Sequence, residues 1–353
     1  MNNYFEEAIH LLKKLISIPS LSREEDKTAS VLFDFLNSYN LSPKRNGNNV
    51  WVKSYLSDTL PTILLNSHHD TVKPASSWTL DPFTPLEKDG KLYGIGSNDA
   101  GASLVSLLMA YLQLESLADR PYNLIYTATA EEEVSGKGGI ESILGELGPI
   151  ELAIVGEPTK MQMAVAEKGL MVLDCKTAGV SGHAARNEGI NAIYKAMEDI
   201  EWFSTFQFPN KSELLGPVKM SVTIINAGSQ HNVVPDNCSY VVDVRTNEYY
   251  KNEEALLIIK EHIKNSEAIP RSTRINSSNI SLEHPLVKRG LELGLSYYGS
   301  PTTSDQALIP CTSLKIGPGD SARSHTADEF IYLEEIEKGI EIYVKLLKNL
   351  SLR

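Results

Sequence analysis

Thr62-Ile63-Leu64-Leu65-Asn66-Ser67-His68-His69-Asp70 is a short apolar run that stops abruptly at two imidazoles and a carboxylate. A run of this length is a strand rather than a helix. Its lack of apolar–polar alternation predicts burial on both faces, the situation of a central strand in an α/β sheet. Two further runs of this kind follow at 123–129 and 152–155, with an apolar helix predicted over 102–117. Amphipathic helices are predicted on the N-terminal side. One covers 3–17, with Phe5, Ile9, Leu12 and Ile16 on one face. The next opens at Ser22, where Ser22 and Glu25 fit a capping box ahead of Ala29, Leu32, Phe33 and Leu36.

After Lys168-Gly169 the texture changes. A strand is predicted over 170–177, a helix over 190–203, strands over 217–225 and 238–245, a helix over 253–265 and a short strand near 271–275. That β-α-β-β-α-β order is the ferredoxin-like sandwich. From about Ser278 the α/β pattern returns, with a helix over 285–298, a strand over 312–316 and a last helix carrying Ile336, Ile340, Val344 and Leu347 at helical spacing. The economical reading is an α/β domain, 1–167 and 278–353, interrupted by an inserted α+β domain, 168–277.

At 353 residues the chain suits two domains, and 42% apolar with 22% charged residues is ordinary for a globular protein. The longest apolar runs fall far short of a membrane span. A net charge of -12 argues against broad nucleic-acid binding and supplies carboxylates for a cation. The start, Met1 to Glu7, shows no signal-peptide pattern. Cys175, Cys238 and Cys311 have neither metal-type nor disulfide-type spacing and read as reduced thiols, so a cytoplasmic setting is expected.

The residues that carry chemistry cluster after strands. His68 and Asp70 are two apart and share a face, and Asp70 suits the carboxylate that orients a metal-binding imidazole. Asp99 follows Gly94-Ile95-Gly96-Ser97-Asn98 at the start of a helix. Glu131, Glu132 and Glu133 follow the strand at 123–129, where an α/β sheet binds its ligands. Glu157 repeats that position after 152–155, and His325 ends a glycine-rich loop beyond the last strand. Singly, each has an ordinary explanation: a polar turn, a helix cap, a solvated acidic loop, a surface histidine. Together, two histidines, an aspartate and several glutamates at strand ends are what a metal site requires.

With these motifs in order, joined by Gly156-Glu157-Pro158, Ser181-Gly182-His183 and Asn232 with Pro235, the sequence resembles the family of acetylornithine deacetylase, succinyl-diaminopimelate desuccinylase, aminoacylase and carboxypeptidase G. The resemblance spans nearly the whole chain. It implies a zinc-peptidase-like α/β catalytic domain with an inserted ferredoxin-like dimerisation (lid) domain. It also implies two zinc ions per subunit, for which cobalt can substitute: Asp99 bridges them, His68 and Glu157 complete one, and Glu133 and His325 complete the other. Asp70 orients His68, and Glu132 is the general base. By the same resemblance His183 reaches the partner's site in a homodimer, and Asn232, Arg245 and the Thr303-Ser304-Asp305 loop meet the substrate. From the residues alone, Arg245 can equally pair with a neighbouring acid and Asp305 can cap a helix.

Two positions depart from the family pattern. Asp99 is followed by Ala100-Gly101-Ala102 where many relatives have Met-Lys-Gly, and the acidic triplet begins with Glu131 rather than Asp. Anchoring on Thr129 makes Glu132 the base and Glu133 the ligand. The resemblance also implies a cis peptide after Asp99. The expected activity is hydrolysis of a small N-acyl amino acid, as in the acetylornithine and acetyl-lysine deacetylases, without nucleic-acid or membrane partners. A dipeptidase or carboxypeptidase, or a desuccinylase, on the same scaffold is the alternative.

Overall fold

The structure, a computed structural model, describes residues 4–352. They form two compact units. One holds the residues through Val165, Asn279–Tyr298 and those from Ser304 on; the other holds Ala166–Ser278 and Gly299–Thr303.

The first unit is built on a nine-stranded sheet. At its centre Asn123–Thr129, Thr62–His68, Leu152–Val155 and Thr312–Lys315 lie side by side and parallel. Every residue of the first three is buried, the condition that their unbroken apolar character predicts. Parallel pairing, with Ser67 opposite Ala128 and His68 opposite Thr129, brings the carboxyl ends of all four to one edge. The helix Ala102–Glu115 is buried on almost every side and packs against Tyr4–Ile16 and Leu333–Leu347. The expected first helix thus runs from Tyr4 to Ile16; residue 3, with the rest of the Met1–Asn3 start, lies outside the described residues.

Two boundaries differ from expectation for visible reasons. The second helix starts at Asp26, not at Ser22, because the Ser22 hydroxyl donates to Asp70 Oδ2 at 2.7 Å instead of capping. The helix from Pro285 stops at Glu292, where Gly294, at φ +82, donates to the Leu291 carbonyl and Leu295 donates to that of Gly290. This is a Schellman stop, after which Tyr297–Ser300 is a strand.

The second unit has an antiparallel sheet in the order Lys219–Ala227, Asn237–Arg245, Met171–Ala178, Ser266–Pro270. With helices Ala192–Thr205 and Asn252–His262 this is the split β-α-β arrangement of the ferredoxin-like sandwich. Met171, Leu173 and Cys175 alternate inward and pack with Tyr240, Val242, Phe203 and Ile259. The last strand lies at Ser266–Pro270 rather than near 271–275. Buried Asp199 accepts the Lys264 and Asn265 N–H groups at 2.8 and 3.0 Å and turns the chain early. Cys175, Cys238 and Cys311 are free thiols. Among the described residues no helix is long and apolar enough to cross a membrane.

Candidate active site

At the carboxyl edge of the parallel strands the side chains of His68, Asp99, Glu132, Glu133, Glu157 and His325 converge. His68 Nδ1 lies 3.0 Å from the Asp70 carbonyl oxygen and 3.3 Å from Asp70 Oδ1. Both neighbours are acceptors, so Nδ1 carries a proton and Nε2 is the nitrogen turned to the site. That Nε2 is buried without a hydrogen-bond partner. It lies 3.4 Å from Asp99 Oδ1 and 3.9 Å from both Glu132 Oε2 and Glu157 Oε1. The other Asp99 oxygen, Oδ2, is 3.7 Å from His325 Nε2, which also lies 2.9 Å from Glu133 Oε2. The Asp99–Ala100 peptide is cis.

The acidic triplet diverges because Glu131 takes a left-handed conformation, φ +56, with its N–H held by Glu25 Oε1 at 3.1 Å. Its side chain turns away to the Gly138 N–H. Glu132 and Glu133 then donate their backbone N–H groups to Asp70 Oδ1 and Oδ2, at 3.1 Å each. Asp70 therefore holds both the imidazole and the turn that carries two carboxylates. His69 points the other way, its ring between Thr28 Oγ1 and the Asn48 carbonyl at 2.9 Å each.

Electrostatically the cluster is short of positive charge. Burial raises Glu132 well above the carboxylate range; His68 opposes this, and Glu157, Asp305 and Glu133 add to it. Burial likewise pushes Glu157 up to about 8. His68 is lowered by burial, but Asp70, Asp99, Glu132 and Glu157 carry it well above its ordinary value. The hydrogen bond to Glu133 raises His325 to about 9. Ligand atoms of His68, Asp99 and Glu133 lie within 4.8 Å of one another, as do those of His68, Glu132 and Glu157. A partnerless buried imidazole nitrogen among several carboxylates fits divalent cations.

Behind this cluster stand Glu25 and Asp305, for which the sequence suggested other roles, and Glu329, which it did not single out. Glu25, fully buried, accepts from the Arg23 and Glu131 N–H groups and from Asn48 Nδ2. Asp305, expected in a substrate-contacting loop or as a helix cap, is buried, with Oδ2 accepting from Asn66 Nδ2 at 2.9 Å and Thr129 Oγ1 at 2.7 Å. Glu329 is 2% exposed and accepts three backbone N–H groups of the Asp99 loop. The signal available for Glu25 was its place three residues after Ser22, which suggests a cap instead.

The remaining candidates lie in the second unit. His183 is exposed in the short strand Gly182–His183, opposite Val233, and its Nδ1 accepts the Ala185 N–H at 3.1 Å. Asn232 is exposed, with its carbonyl accepting from Ala184 N–H at 3.0 Å. Arg245 is engaged on two nitrogens by Asp243, at 2.8 and 3.1 Å. Thr303 is half-buried at the end of Gly299–Thr303, whereas Ser304 and Asp305 belong to the first unit.

Residues 64–349 match the model of peptidase family M20/M25/M40. The chain belongs to this family. As an M20 enzyme it is a metal-dependent hydrolase acting on amides. It is 28% identical over 390 aligned positions to an acetylornithine deacetylase from Proteus mirabilis, covering 100% of this chain and 99% of that one. It is also 28% identical over 266 positions to a succinyl-diaminopimelate desuccinylase from Nautilia profundicola, covering 72% and 73%. Among solved structures, aminopeptidase PepT from Bacillus cereus superposes with a TM-score of 0.79 at 18% identity, covering 98% of each chain. The M20 fold, a catalytic α/β unit with an inserted domain, is thus the fold of this chain.

Proposed function

We propose that this M20 hydrolase binds two divalent metal ions, zinc in the first instance, and removes the acyl group of a small N-acyl amino acid such as N-acetylornithine. Asp99 carries the reading: one of its oxygens faces His68 and the other faces His325, as a carboxylate shared between two ions must. His68 and Glu157 are proposed to complete one ion, and Glu133 and His325 the other. The full-length similarity to an acetylornithine deacetylase supports the substrate class.

Two such ions supply Lewis-acid polarisation of the amide carbonyl and acidify water at neutral pH. Glu132 acts as base and then acid. Its carboxylate takes a proton from the water whose oxygen bonds to the carbonyl carbon, and returns it to the amine nitrogen as the C–N bond breaks. The second water proton passes from the new carboxylic acid to the freed amine or to solvent, so the products are a carboxylate and an amine released as its ammonium form at neutral pH. Asp70 keeps the His68 proton on Nδ1, so that Nε2 stays a ligand. In a homodimer formed through the inserted domain, His183 is proposed to donate to the developing oxyanion in the partner's site. Asn232 and Arg245 are proposed to meet the substrate carboxylate, Arg245 by exchanging Asp243 for it, and Thr303 to contact the substrate from another loop. The proposed setting is cytoplasmic arginine or lysine biosynthesis.

The test is hydrolysis of a panel of N-acetyl, N-succinyl and N-formyl amino acids, together with dipeptides, by protein reconstituted with zinc or cobalt. N-acetyl amino acids should be cleaved fastest. A preference for N-succinyl substrates would follow the second relative, a preference for dipeptides would make the enzyme a peptidase, and either would overturn the acetyl assignment.

A further inference from the structure

We infer that Asn98 and Glu329 form a reciprocal clasp that fixes the Asp99 loop against the His325 loop and so sets the spacing of the two metal positions. The inference rests on the two-metal reading above. Asp99 and His325 themselves lie outside strands: the nearest register, Phe330 opposite Tyr93, stops five residues short of His325 and six short of Asp99, and the clasp spans that gap. From one side, Asn98, fully buried beside Asp99, reaches the segment that leads to His325. Its Oδ1 accepts the Asp320 N–H at 2.9 Å, and its Nδ2 lies 3.1 Å from the Asp320 carbonyl oxygen and 3.3 Å from Ser324 Oγ. From the other side, Glu329, four residues beyond His325, reaches back. Its Oε1 accepts the N–H groups of Asn98 and Asp99 at 2.8 and 3.0 Å, and its Oε2 accepts that of Gly96 at 3.3 Å.

The local sequence accommodates this contact. Gly319 has φ +93, and a Cβ there would stand 2.6 Å from Asn98 Oδ1, so the close approach of Asn98 requires glycine. Glu329 is outside the groups whose ligand atoms cluster, and Asn98 turns both its side-chain polar atoms to Asp320 and Ser324. Both are therefore positioning residues, acting on the ions through the loops they hold. Removing Asn98 leaves the Asp320 N–H in the His325 segment without its acceptor, and removing Glu329 leaves the N–H groups of Gly96, Asn98 and Asp99 without theirs.

The test compares wild type with N98A, N98D, E329A and E329Q. Each is stripped with a chelator and titrated calorimetrically with Zn²⁺, and the visible d–d spectrum is recorded after Co²⁺ loading. Residues that support metal ligands typically cost about 10–100-fold in metal affinity when changed, and that loss, with shifted cobalt bands, is expected here. E329Q should fall between wild type and E329A, because one amide oxygen still accepts from Asn98 and Asp99. N98A combined with E329Q should cost less than the sum of the two, since both hold the same pair of loops. If the alanine variants fail to fold, E329Q and N98D carry the comparison. Variants with native circular dichroism, Zn²⁺ affinity within about two-fold of wild type and an unchanged cobalt spectrum would overturn the clasp. Wild type that takes up no metal would instead overturn the two-metal reading, and the clasp with it.

Discussion

Ser22 Oγ donates to Asp70 Oδ2 at 2.7 Å, joining the turn before the second helix to the carboxylate beneath the site. Asp70 also accepts the N–H groups of Glu132 and Glu133 and faces the His68 ring. An amide at this position has one acceptor atom instead of two, so Asp70→Asn must turn an NH₂ group toward one of those backbone donors. The expected result is about 10–100-fold weaker metal binding, with activity falling in parallel. Ser22→Ala removes only one of these donors and should cost less than 10-fold. Metal titration alongside steady-state kinetics checks both. A normal zinc affinity in Asp70→Asn would show that Asp70 does not hold the turn.

Glu132 and Glu133 are neighbours with separate assignments. Glu132→Ala should lose about 10²–10⁴-fold in kcat while still binding both ions. Glu133→Ala should lose metal as well, since its carboxylate is 2.9 Å from His325 and clusters with His68 and Asp99. Because Glu132 also lies within ligand range of His68 and Glu157, metal analysis of the two variants decides between the roles. The opposite pattern would exchange base and ligand.

The parallel core was legible because a strand covered on both faces is written as an unbroken apolar run, so Thr62–His68, Asn123–Thr129 and Leu152–Val155 could be read with little error. Residues at the ends of such strands inherit their position, and that made His68, Glu132, Glu133 and Glu157 visible as candidates. The supporting shell was not legible. Ser22 looked like a cap because local spacing cannot announce a partner at Asp70. Glu329 drew no notice, because nothing next to it in the chain shows that its carboxyl accepts three N–H groups from residues 96–99. The strand at Ser266–Pro270 was displaced in the reading for the same reason: the turn before it is pinned by Asp199, on the other helix. What local sequence hid in each case was a polar group satisfied from far along the chain.

His68 and His69 are adjacent, buried and chemically alike, yet opposite effects on metal binding are expected of them. His69→Ala should leave metal stoichiometry intact and destabilise the fold by about 2–4 kcal/mol, since Thr28 and the Asn48 carbonyl lose their partner and a cavity remains. His68→Ala should abolish binding of at least one ion and, because it removes the imidazole that offsets buried Asp70 and Asp99, destabilise the metal-free protein as well, so that metal stoichiometry is what separates the two. Zinc analysis of the reconstituted proteins, with chemical denaturation of the metal-free ones, provides the check. Loss of zinc in His69→Ala with unchanged stability would mean that His69, not His68, serves the site.

The charge shortage at the site has a pH signature that metal should erase. Glu157 and Glu329 are each pushed up by burial to about 8 from an ordinary 4.5. Across that interval the folded, metal-free protein keeps protons that the unfolded chain has already released, so stability falls as pH rises. His325 acts in the same direction. Its raised value, about 9 against 6.5, gives stability that is complete below 6.5 and is lost as pH rises through 9. Lowered Asp70 and Asp99 act only in acid, where stability is lost as pH falls below their ordinary value of 3.8. Chelator-treated protein should therefore melt lower at pH 9 than at pH 6, by at least about 5 °C. Cations compete with protons for the same oxygens and imidazoles, so added zinc should raise Tm more at the higher pH and flatten the profile. Paired thermal melts with and without chelator across this range provide the check. A metal-free Tm that holds steady or climbs between pH 6 and pH 9 would mean that the clustered carboxylates are already neutralised by groups of the chain itself.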